Sequence, residues 1–163
     1  MAGTSQSKWT VLNRWLCLAA RLYLGGVFVY ASVHKIGDPG GFALDVATYD
    51  ILPLWAVNFA ALALPWCEMV AGLCLIAGFR ARAAALACAF MMVVFMAALA
   101  SALARGLDMS CGCFASSSAA ENDPISYLTM LRDSAWLLLA IYITASDNSP
   151  IGLDSLTVRR LKP

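Results

Sequence analysis

Four long apolar stretches constrain what this chain can fold into more than any other feature. They cover residues 12–33, 54–79, 83–104 and 125–145. A helix needs about 20 residues to cross a hydrocarbon core of about 30 Å, and each stretch is long enough. The composition agrees, since 61% of the residues are hydrophobic and only 13% are charged. The sequence therefore predicts an all-α polytopic membrane protein and excludes a water-soluble globular domain.

The arrangement of these stretches predicts one compact unit. They leave little chain for a second domain, so we expect residues 1–163 to form a single membrane domain. Because lipid removes the hydrophobic drive between helices, transmembrane helices associate through small residues, which recur here at Gly25, Gly26, Ala71 and Gly72. The predicted fold is an antiparallel bundle of four transmembrane helices.

The distribution of cations predicts the orientation of this bundle. One face of the membrane receives seven Lys and Arg residues, namely Lys8, Arg14, Arg80, Arg82, Arg159, Arg160 and Lys162. The loops at the other face contain only Lys35 and Arg105. Because cytoplasmic loops carry an excess of Lys and Arg, we expect both tails to be cytoplasmic. The loops 34–53 and 105–124 then lie on the outer side.

The first outer loop contains the signature of a short interfacial helix. Asp38 followed by Pro39 can cap and begin a helix. Phe42, Val46 and Tyr49 follow at spacings of four and three residues, which places them on one helical face. We therefore expect a short helix that lies along the membrane surface through this apolar face.

The second outer loop contains the sharpest chemical motif, Cys111-Gly112-Cys113. Two thiols this close can form a disulfide only in a tight bend, which Gly112 permits because it has no Cβ. A strained, exposed disulfide exchanges readily, so the first interpretation is a redox-active pair. A structural disulfide or two inert thiols is the second. Half of a metal site is the third and is disfavoured, because the loops offer no other Cys and the chain has one His; no metal is predicted.

His34 and Lys35 end the first span on the same side as this cysteine pair. A nearby cation lowers the pKa of a thiol, and a neutral imidazole can accept its proton. The two residues are therefore candidates for tuning the thiolate. The alternative is an interfacial pair whose polar ends simply reach the membrane surface.

Ionisable residues inside the spans form a second candidate site, because such residues are costly in hydrocarbon. Arg21 and Glu68 fall at similar predicted depths, so we expect them to pair, and Arg132 lies nearer the outer surface. One interpretation is an ion pair that specifies the bundle. The other is a polar centre that binds a quinone headgroup or relays protons, with Arg21, Glu68 and Arg132 as the candidate quinone ligands; no other cofactor is predicted. The remaining thiols, which lie in spans, are expected to pack as small apolar groups: Cys17, Cys67, Cys74 and Cys88.

The charge balance excludes one class of partner. The formal net charge is +1, and no basic stripe is present that could neutralise a row of phosphates. Nucleic-acid binding is therefore not expected, and the lipid bilayer is the first partner of this chain.

Taken together, these motifs resemble the DoxX-like membrane proteins, specifically their MauE-type, redox-associated branch. The resemblance rests on segments spread over most of the chain: 25–28, 34–39, 64–68, 105–108, 111–114 and 131–133. It implies a multi-pass protein of the bacterial cytoplasmic (inner) membrane with its cysteine pair in the periplasm. It also implies a role in periplasmic thiol handling and in maturing a disulfide-containing redox protein beside a thioredoxin-like partner.

Three functional hypotheses follow. In the first, the chain is a thiol–disulfide oxidoreductase component that uses Cys111 and Cys113. In the second, it is a non-catalytic accessory or assembly subunit of a larger membrane redox complex, and its cysteine pair is a structural disulfide. In the third and least favoured, the ionisable residues of the spans line a carrier or pore for a small anion, although the chain has no internal repeat.

Overall fold

The computed structural model describes residues 3–107, 127–147 and 152. These residues contain five helices and no strand: α1 (Gly3–Gly37), α2 (Pro39–Thr48), α3 (Leu54–Ala77), α4 (Ala81–Ala104) and α5 (Tyr127–Ser146). Four of the helices are long and apolar enough to cross a membrane: Thr10–Gly37, Leu54–Ala77, Ala81–Ala104 and Tyr127–Ser146. The predicted all-α class and the four spans are thereby confirmed, with their bounds shifted by up to a few residues.

Part of the sequence-based prediction concerns residues that the structure does not describe. Cys111 and Cys113 lie between Leu107 and Tyr127, outside the described residues. Arg159, Arg160 and Lys162, three of the cations that predict the orientation, also lie outside them. Predictions for these segments stay predictions.

The four spanning helices form a closed ring. Helix α1 packs against α3 and α5, and α4 packs against the same two helices. The core between them is apolar and tightly packed, with Leu24, Leu75, Ala85, Cys88 and Ile143 at 1% exposure or less. Large apolar side chains instead cover the outside of the ring, as expected for a surface in contact with lipid: Trp55, Phe59, Phe90 and Leu128 are each more than two thirds exposed.

The closest approach between α1 and α3 occurs at two glycines. A Cβ on Gly25 would lie 2.8 Å from the carbonyl oxygen of Gly72, and a Cβ on Gly72 would lie 2.9 Å from that of Gly25. No larger residue fits without moving the backbones apart. Gly26, which the sequence placed in the same class, has open space around it.

Helix α2 lies across one end of the bundle, between α1 and α3. Its first turn begins as predicted, because the Asp38 carboxylate accepts a hydrogen bond from the Gly41 N–H at 2.9 Å and Pro39 follows the cap. Its buried face differs from the predicted one: Phe42, Asp45 and Tyr49 are buried, whereas Val46 is only half-buried. The predicted short helix in this loop is confirmed, and it turns a carboxylate toward the bundle.

Candidate functional site

A small, partly open cavity lies at the end of the bundle that carries α2; we call it the polar cavity after the three ionisable side chains in its mostly apolar wall. Its volume is about 80 Å³, which gives room for roughly two or three waters at ~30 Å³ each. Three ionisable side chains from three helices line it: Lys35 from α1, Glu68 from α3 and Asp133 from α5. The rest of the lining is apolar: Val27, Phe28, Ala31, Met91, Met92, Phe95 and Trp136.

Lys35 and Glu68 form an ion pair at this cavity. The Lys35 Nζ donates to both carboxylate oxygens of Glu68 at 2.9 Å. The same ammonium lies 5.0 Å from the centre of the Phe42 ring of α2, which provides a cation–π contact. Only 11% of the Lys35 side chain and 17% of the Glu68 side chain are exposed. Lys35 is therefore bound inside the bundle and not extended to the membrane surface.

The extra turn of α1 explains this position. The apolar pattern predicted that the span ends at residue 33, but the helix continues to Gly37. Adjacent residues on a helix point about 100° apart, so Lys35 faces the bundle and His34 faces outward. His34 is exposed, and its ring contacts the edge of Tyr30 with the ring centres 4.8 Å apart. The two candidate thiolate-tuning residues thus occupy different surroundings.

Asp133 contributes a buried carboxylate to the cavity. It is 1% exposed, and its Oδ1 accepts a hydrogen bond from the Nε of Arg132 at 3.1 Å. Arg132 also packs its guanidinium 5.0 Å from the centre of the Trp136 ring. Arg132, a predicted site residue, therefore acts on the cavity through Asp133 and does not line it.

Helix α2 places two further polar groups next to this cluster. Asp45 is 8% exposed, and its Oδ2 has no hydrogen-bond partner among the described residues. Burial raises the pKa of the Asp45 carboxyl above its usual 3.8; the charge of Asp38 raises it further, and Lys35 opposes both. Burial, followed by the charges of Asp45 and Asp133, also raises the pKa of the Tyr49 phenol.

The end of α4 is attached directly to α2. The guanidinium of Arg105, which follows α4 and begins the cysteine-containing loop, donates a hydrogen bond to the backbone carbonyl of Tyr49. The Tyr49 ring in turn meets the edge of Phe95 of α4, with the ring centres 6.5 Å apart. These contacts fix the first residues of the cysteine-containing loop beside α2 and the polar cavity.

The predicted pairing of Arg21 with Glu68 is wrong. The Nε and Nη2 of Arg21 each donate to the backbone carbonyl of Leu75 at 3.2 Å, whereas Glu68 binds Lys35. Leu75 lies seven residues beyond Glu68 in α3, a distance of about 10 Å along the helix. The first span was predicted to end at residue 33, whereas α1 ends at Gly37. Arg21 was therefore predicted to lie closer to the level of Glu68 than it does.

Arg21 instead joins three helices at the opposite end of the bundle. Helix α3 ends at Gly78 in a left-handed conformation, with φ of 66°, and Arg21 donates to one of its last carbonyls. Cations are favoured at a helix C-terminus, where the carbonyls lack partners within the helix. The Nη1 of Arg21 also lies 3.6 Å from the carboxylate of Asp147, just beyond α5. The interpretation of Arg21 as a residue that specifies the bundle agrees with this geometry.

The three residues predicted to bind a quinone do not form one site. Arg21 lies at the end of α3 away from the cavity, Arg132 lies outside the cavity, and only Glu68 lines it. The cavity is also well below the ~300–1,000 Å³ typical of sites for drug-sized ligands. These residues do not fit a quinone headgroup, so we derive no step through one, and the cofactor stays a prediction.

Asp45 and Tyr49 were not predicted to be parts of the polar cluster. The signal was present, because Phe42, Asp45 and Tyr49 follow at spacings of three and four, which places an acid on an otherwise apolar helical face. The thiols of the spans are free cysteines, with Cys17 and Cys88 buried and Cys67 exposed. Among residues 3–107, 127–147 and 152, no three His, Cys, Asp or Glu side chains gather as a metal-binding group.

Comparison with known proteins gives a consistent family relationship. The family model described as "Methylamine utilisation protein MauE" matches residues 13–146. The methylamine utilization protein MauE of Paracoccus denitrificans is 34% identical over 126 residues, which cover 77% of this chain and 66% of that relative. The chain thus matches slightly less than two thirds of the relative's length. No solved structure matches the chain significantly.

Proposed function

Because the chain belongs to the MauE family of methylamine utilisation proteins, we propose that it is a membrane component of thiol–disulfide exchange that matures a disulfide-containing redox protein. Cys111 and Cys113 form the proposed reacting pair, on the outer side of the membrane. The proposed partner is a thioredoxin-like protein. The observation that carries the proposal is the Cys111-Gly112-Cys113 sequence, in which two thiols are separated by one glycine.

The proposed reaction is an exchange that needs no further oxidant. A thiolate of the pair attacks a disulfide of the partner, which forms a mixed disulfide and releases one partner thiolate. The second thiolate of the pair then attacks the mixed disulfide. The Cys111–Cys113 disulfide forms, and the partner leaves as a dithiol after its two thiolates take up the two protons released by the pair. Two electrons pass to the partner, and the reverse reaction delivers a disulfide instead.

Three features of the described residues support this proposal. Arg105 attaches the start of the cysteine-containing loop to α2, which restricts where that loop can lie. His34 is exposed at the same end of the bundle and can accept a thiol proton. Lys35 is neutralised by Glu68, so we assign the tuning of the thiolate to His34, while Lys35 holds the cavity together.

Trapping of the mixed disulfide tests the proposal. A Cys113→Ser variant retains Cys111 and lacks the thiol that would release the partner, so we expect a partner to remain covalently attached on non-reducing gels. Cys111→Ser tests the reverse order of attack. Cys88→Ala is the control, because it removes a buried core thiol and leaves the outer loop intact. Complementation of a deletion strain, normalised to membrane abundance, measures the activity.

Complete complementation by the Cys111→Ser/Cys113→Ser double variant would contradict the proposed thiol–disulfide exchange. Fixed-stoichiometry co-migration of that same variant with a larger membrane complex would instead favour the accessory-subunit hypothesis. In that case the pair contributes a structural disulfide.

A further inference from the structure

A long groove lies between α3 and α4, on the outside of the bundle and away from the polar cavity. Its volume is about 660 Å³. Ala71 and Ala84 form its buried floor, and Trp66 and Val70 form an exposed wall on α3. Its lining is apolar except for two thiols and Arg80, which lies in the turn between the helices.

The groove exists because the first half of α4 is rich in alanine. Ala83 and Ala87 line it and are exposed. Small residues on a spanning helix ordinarily mark a close contact with another helix, yet α3 and α4 leave these two open. Larger side chains at these positions would fill the space.

The length of the groove indicates what kind of molecule fits. It runs from Phe79 in the turn to Trp66, a distance of about 20 Å along α3. Trp66 is near the middle of the helix Leu54–Ala77, so the groove begins at the membrane surface and ends near the bilayer centre. A spanning helix of another protein would contact the full ~30 Å of the hydrocarbon core. A single lipid chain occupies one leaflet, as the groove does.

The charge at the surface end indicates the headgroup. Arg80 is exposed there and lines the groove, whereas Arg82, two residues later, donates to the backbone carbonyl of Ala145. Guanidinium groups bind phosphate oxygens in a bidentate geometry. We propose that the groove binds an acyl chain of one anionic phospholipid, whose phosphate is bound by Arg80. The predicted orientation places this lipid in the cytoplasmic leaflet, and the inference is independent of the cysteine chemistry.

Native mass spectrometry of the full chain tests this inference with phosphatidylglycerol and phosphatidylcholine of identical acyl chains. We expect one phosphatidylglycerol to stay bound under conditions that remove phosphatidylcholine. Arg80→Gln should weaken phosphatidylglycerol binding about fivefold, the effect of one cation near an anionic lipid. Arg14→Gln is the matched control, since it removes another exposed cation and should leave binding unchanged.

A second pair of variants tests the apolar part of the groove. Ala83→Leu/Ala87→Leu should reduce the binding of both lipids by filling the groove, whereas Ala97→Leu changes an exposed position of α4 outside it. Equal retention of the two lipids by the wild type, or equal losses in Arg80→Gln and Arg14→Gln, would overturn the inference. A wild-type dimer that dissociates in the double variant would also overturn it, because a second copy would then occupy the groove.

Discussion

Single residues at the polar cavity show how strongly position along a helix decides a side chain's role. His34 and Lys35 are neighbours in sequence, yet His34 is exposed beside Tyr30 and Lys35 is bound between Glu68 and Phe42. A lysine in such a low-dielectric site needs its carboxylate partner to offset the cost of burying its charge. The ion pair therefore makes Lys35 part of the structure of the bundle.

Breaking this pair should be costly. Removing one partner of a buried ion pair typically costs about 3–5 kcal/mol, and we expect the lower end of that range for Glu68→Gln because both side chains keep slight exposure. Unfolding in detergent, followed by tryptophan fluorescence, measures the change. The Lys35→Met/Glu68→Leu double variant should regain most of the loss. If the losses of stability caused by the two single substitutions simply add in the double variant, the pairing of Lys35 with Glu68 would be contradicted.

Asp45 should make stability depend on pH. Its folded-state pKa is raised by burial, so the folded state binds the proton more tightly than the unfolded state does. The resulting stabilisation is complete below the unfolded pKa of about 4 and is lost as the pH rises through the raised folded pKa. Asp45→Asn should therefore stabilise the protein at pH 7 by about 1 kcal/mol. It should also reduce the loss of stability that accompanies rising pH, which is measured as unfolding temperature against pH. The same pH dependence in Asp45→Asn and the wild type would contradict the titration of Asp45.

At the scale of elements, the contact between α1 and α3 sets the register of the bundle. Gly25 and Gly72 bring the two backbones together, and this register places Lys35 opposite Glu68 and Arg21 opposite Leu75. The two glycines let neighbouring side chains such as Ile76 and Val29 pack directly against the facing backbone, and such close packing holds helices together in lipid.

Two adjacent glycines provide a matched test of this contact. Gly25→Ala should destabilise the protein by about 1–3 kcal/mol, because the added methyl group overlaps the backbone of Gly72. Gly26→Ala has open space and should be neutral or stabilising, by up to ~1 kcal/mol from its higher helix propensity. The unfolding temperatures of the two variants measure this difference. Equal effects would show that α1 and α3 can move apart at the crossing without loss of stability.

The whole molecule has two chemically different ends. One end carries α2, the polar cavity and the attachment of the cysteine-containing loop; the other carries the turn 78–82 and the Arg21 contact with Leu75 and Asp147. The distribution of cations in the sequence predicts that the second end is cytoplasmic.

Labelling of intact cells tests this orientation. In a cysteine-free background, Gly40→Cys at the exposed start of α2 should react with a membrane-impermeant maleimide. Phe79→Cys, 48% exposed in the wild type, should react only after the cells are permeabilised. The reverse pattern would place the cysteine-containing loop in the cytoplasm and remove the basis for outer-side thiol exchange.

The number of spans, the cap of α2 and the use of small residues such as Gly25 and Gly72 in helix packing were predictable from the sequence, because each depends on local composition or on short spacing. The sequence could not determine which ionisable groups meet. That depends on the register between helices, where one additional turn of α1 moves a side chain by about 5 Å. The pairing of Glu68 with Lys35, the position of Arg21 at the end of α3 and the inward direction of Asp45 follow from how the helices pack, because each contact joins residues on different helices.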